Sequence, residues 1–93
     1  MVTKKGEDNM DFETLLRKRN QQGEHLIGLW LCEATITNRE ENEQLKKKIT
    51  QVKRDLKEIC SLLAEGDAEY GVILYRAYIR LLDQKTDKII EDL

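Results

Sequence analysis

The chain has 93 residues, 40% of them apolar and 37% charged, with no proline, and Lys+Arg 16 against Asp+Glu 18 leave a formal net charge of -2. A chain of that length holds one domain with a thin core, and so even a charge balance excludes a global pull towards nucleic acid or anionic lipid. The lack of proline beside so many apolar residues selects long helices over a disordered chain.

Residues 1–9 (MVTKKGEDN) carry no apolar periodicity and are expected to form a disordered tail. They lack the apolar stretch of a secretory signal, and the longest apolar run, Leu26 to Cys32, is far short of the roughly 20 residues that span a bilayer. A cytoplasmic protein is the expectation. Asn9 or Asp11 is placed to cap a first helix with Phe12, Leu15 and Leu16 on one face. The polar run Arg17 to Gln22 followed by Gly23 has the form of a helix end, so residues 10–37 are expected to be N-terminal helical segments broken at Gly23.

In the next stretch Leu26, Ile27, Trp30, Leu31 and Ala34 share one helical face. Trp30, Cys32, Ala34 and Ile36 also alternate as in a strand. A strand here has no partner elsewhere in the sequence, and unpaired edges are costly, so helix is expected. Gly28 costs such a helix about 1 kcal/mol relative to alanine and reads as a point of close approach by a neighbour. Leu26, Ile27, Trp30 and Leu31 form the candidate partner surface. Trp30, the sole tryptophan, suits either a core or an interface.

Thr37-Asn38-Arg39-Glu40 matches a capping box and starts a helix near residue 38. Leu45, Ile49, Val52, Leu56, Ile59 and Leu63 follow at spacings of 4, 3, 4, 3 and 4, a heptad stripe that ends at Gly66, with Asp67 ready to cap the next helix. Val72, Tyr75, Ile79, Leu82, Thr86, Ile89 and Leu93 repeat the pattern, and Leu74, Tyr78 and Leu81 widen it beyond a two-stranded seam. The short Ala64–Asp67 turn folds the two arms, 38–65 and 68–92, into an antiparallel hairpin. The fold class expected is therefore all-α: a small helical bundle built on a long, coiled-coil-like hairpin over residues 38–93. Its hairpin or dimer seam comprises Leu45, Ile49, Val52, Leu56, Ile59, Leu63, Tyr75, Ile79, Leu82 and Ile89. Shorter N-terminal helices cover only part of that hairpin, and a homodimer is expected to cover the rest.

Chemistry-bearing residues are sparse. Lys46, Lys47, Lys53, Arg54 and Lys57 project within an arc of roughly 120° beside the apolar stripe at about 100° per residue. Such a basic stripe fits cross-helix ion pairing in solvent first, an acidic protein surface second and nucleic acid third. In Tyr75-Arg76-Ala77-Tyr78-Ile79-Arg80 the arginines and tyrosines fall on different faces, which reads as core tyrosines with solvated arginines rather than a base-stacking patch. Cys32 and Cys60 lack zinc-ligand spacing and lie in apolar stretches, as buried free thiols of a reducing compartment do. A Cys32–Cys60 bridge is the alternative. Cys32 lies seven residues beyond His25, on nearly the same helical face but about 10 Å along the axis, too far for a nucleophilic dyad, and no glycine-rich phosphate loop is present. No cofactor, metal site or enzymatic activity is expected. The leading expectation is a non-catalytic protein-interaction module, an adaptor, inhibitor or regulator docking a helical surface. Nucleic-acid binding through the basic stripe and a purely structural oligomer are the alternatives.

Overall fold

The computed structural model describes residues 11–93. The expected tail over residues 1–9, and Asn9 as a cap, lie outside the described residues. The chain forms three helices, α1 (Phe12–Thr35), α2 (Arg39–Leu63) and α3 (Ala68–Asp92). They pack as an all-α bundle measuring 52 × 25 × 21 Å. At about 1.5 Å per residue each helix runs roughly 36–38 Å, so all three lie along the long axis.

Each helix begins at a side chain that accepts a backbone N–H. The Asp11 carboxylate takes the Thr14 N–H at 2.8 Å, Asn38 takes that of Glu41 at 3.2 Å, and Asp67 takes that of Tyr70 at 3.0 Å. Each satisfies one of the donors that a first turn leaves free. At the start of α2 the cap is Asn38 and not Thr37, because the helix opens one residue later than a Thr37 capping box requires. Between α2 and α3 the backbone reverses through Glu65 (φ 58) and Gly66 (φ 87). Glycine enters that left-handed region freely, whereas Glu65 does so at a cost of about 1–2 kcal/mol.

The expected break at Gly23 does not occur. α1 passes through it without interruption, and residues 26–35 are helix, not strand. Gly23 is buried, and a Cβ placed there would overlap the Tyr78 hydroxyl from α3. The glycine therefore opens a gap in α1 that Tyr78 fills. Gly28 behaves in the opposite way: nothing lies within 4 Å of a Cβ built on it, so the close approach expected there is absent. The second close approach lies in the hairpin at Gly71, where a Cβ would sit 2.6 Å from the Ser61 Cα.

The core is Leu26 and Leu29 of α1, Leu45, Ile49, Val52 and Leu56 of α2, and Leu82 of α3, with Trp30, Tyr75, Tyr78 and Ile79 half-buried against it. Leu56, Leu26 and Cys60 are fully enclosed. Of the seam residues expected, Leu63 is buried too, while Ile59 is half-buried. Ile89 is 40% exposed and leaves the seam. Continuing the register in which Gly71 meets Ser61 places Ile89 beside Glu43, ahead of the first apolar residue of α2, so no oily surface is there to receive it.

The two glycines of α1 give a paired prediction. Gly28→Ala should stabilise the protein by about 0.4–1 kcal/mol through the unfolded chain. Gly23→Ala should destabilise it by about 1–3 kcal/mol through overpacking. Urea unfolding of both variants checks the signs. In a Tyr78→Phe background, which removes the obstructing oxygen, the loss from Gly23→Ala should shrink.

Candidate docking surface

The residues proposed from sequence as a partner surface do not form one. Leu26 is fully buried, and Ile27 and Trp30 pack against the core. Leu31 is half-buried. The apolar face of residues 26–31 is turned inward because α2 supplies a complete heptad stripe to receive it. Leu29, absent from the sequence-derived set, lies on the same inward face.

The apolar surface that stays in water is on α3. Tyr70 is 55%, Ile73 57% and Leu81 48% exposed. Ala77 is exposed between them and Leu74 is half-exposed. At about 100° per residue these five side chains fall within an arc of roughly 100°, centred well over a third of a turn from the buried side marked by Gly71, Leu82 and Thr86. The sequence places two apolar faces on α3, and the bundle uses one of them. Continuous apolar surface of this kind marks interaction sites more often than scattered leucines do.

The edge of this face next to α1 is fixed by a polar cluster. The Tyr78 hydroxyl donates to the Arg19 carbonyl at 3.3 Å, and the Arg19 guanidinium lies 4.4 Å from the Tyr78 ring centroid, a stacked cation–π contact. Burial raises the Tyr78 pKa above its ordinary value, with Arg19 opposing. Beside it opens a groove of about 350 Å³ lined in part by Ile27, Leu81, Glu24 and Lys85. A second groove, of about 310 Å³, runs between α1 and α2 past Leu15, Ile59 and Leu62, with Lys18, Asp55 and Glu58 at its margins.

The basic stripe divides. Lys53 reaches towards α1, its ammonium 5.8 Å from the Trp30 ring centroid. Lys46, Lys47 and Arg54 line a shallow depression on α2 with Thr50 and Gln51, and Lys57 is exposed. Tyr75 lies half-buried against the core, its pKa raised chiefly by burial, while Arg76 and Arg80 are exposed.

Cys32 and Cys60 are both free. Cys60 is buried and Cys32 is exposed, which corrects the expectation of two buried thiols. In the helix Cys32 lies about 200° around from Trp30, so the face that carries Trp30 inward turns Cys32 out. His25 is exposed. Among the described residues no group of three or more His, Cys, Asp or Glu side chains is placed to hold a metal ion, and no helix is long and apolar enough to cross a membrane.

No family model matches the sequence, and no curated protein or solved structure matches it.

Burial raises the Cys60 thiol pKa, with the Arg19 charge opposing. The unfolded chain therefore gives up that proton first. Stability held by the neutral thiol is full below about pH 8.5, the value of a free cysteine, and is lost as pH climbs towards the folded value. Tyr75 and Tyr78 add the same sign higher up, beyond about pH 10. Urea midpoints should fall between neutral and alkaline pH, and a flat profile contradicts the burial. In the native protein a thiol reagent should modify Cys32 promptly and Cys60 only on unfolding.

Proposed function

We propose that this chain is a non-catalytic protein-binding module that docks through the outer face of α3. The observation that carries the reading is the run of exposed apolar side chains on that face, Tyr70, Ile73, Ala77 and Leu81. An amphipathic helix on the partner would lay its own apolar stripe along this one, and apolar burial would supply the affinity. The flanking charges of α3 would set orientation and approach rate. Free thiols fit a reducing cytoplasm as the place of action. The role is that of a small adaptor, inhibitor or regulator.

A second reading, nucleic-acid binding, draws on the exposed Lys46, Lys47 and Arg54 around one depression of α2. It requires affinity that falls steeply with added salt. Fluorescence anisotropy with DNA and RNA probes over a salt series decides it: the docking reading expects no retention even at low salt.

Ile73→Glu tests the docking face, because Ile73 is exposed and its loss leaves the core intact. The variant should melt like the wild type. In affinity capture from the native host it should lose, by at least about tenfold, the protein that the wild type retains, as central interface positions do. Undiminished capture by the variant would remove α3 from the interface.

A further inference from the structure

We draw no further inference here: the strongest candidate, the exposed apolar face of α3 from Tyr70 to Leu81, carries nothing beyond the docking surface already described, because nothing in the structure shows what covers it.

Discussion

The structure depends on a single apolar face, the heptad stripe of α2, which two other helices must share. Leu45, Ile49, Val52 and Leu56 supply most of the enclosed core, and α1 and α3 each bury a face against them. The sharing is unequal. α1 gives Leu26 and Leu29 to the common core, while α3 gives Leu82 and closes the remainder with half-buried Tyr75, Tyr78 and Ile79. Side chains with polar tips end a core because the ring is buried and the hydroxyl stays near water or a backbone acceptor. Tyr78 does so by donating to the carbonyl of Arg19. A helix docked through tyrosines at the margin keeps more of its circumference in solvent, and on α3 one arc of that circumference, from Tyr70 to Leu81, is apolar.

The contact between Gly23 and Tyr78 sets how closely α3 can sit against α1. In the middle of a helix glycine is worth about 1 kcal/mol less than alanine, and here the missing side chain makes room for a ring. Gly71 against Ser61 does the same for α3 and α2. Two glycines, one in each of the helices that flank α2 in sequence, therefore let α3 approach both of its neighbours. Gly28 meets no neighbour, and so a glycine's effect in a helix is decided by what lies opposite and not by the residue itself.

That distinction marks how far the sequence could be read. The stripe from Leu45 to Leu63 and the punctuation at Gly66 and Asp67 are local signals, and the hairpin followed from them. The continuity of α1 was not legible, because Arg17 to Gln22 and Gly23 carry the composition of a helix end, and the residue that makes Gly23 useful inside a helix lies far along the chain at Tyr78. The inward turn of residues 26–31 was hidden for a related reason. A segment rich in leucine beside the sole tryptophan reads equally as core or as interface until its partner helix is known. The exposed face of α3 left a faint trace: Leu74, Tyr78 and Leu81 made the stripe too wide for a two-stranded seam. Width alone does not separate a second packed neighbour from an unpaired face.

Once α1 takes the place that the widened stripe of α3 called for, one apolar face remains in surplus, and the bundle offers no fourth helix within the described residues to cover it. Exposed apolar area of this kind costs solubility and invites non-specific association. Charges at both edges limit that liability by penalising partners in the wrong orientation. The surplus face therefore carries more information about what α3 meets than the buried core does.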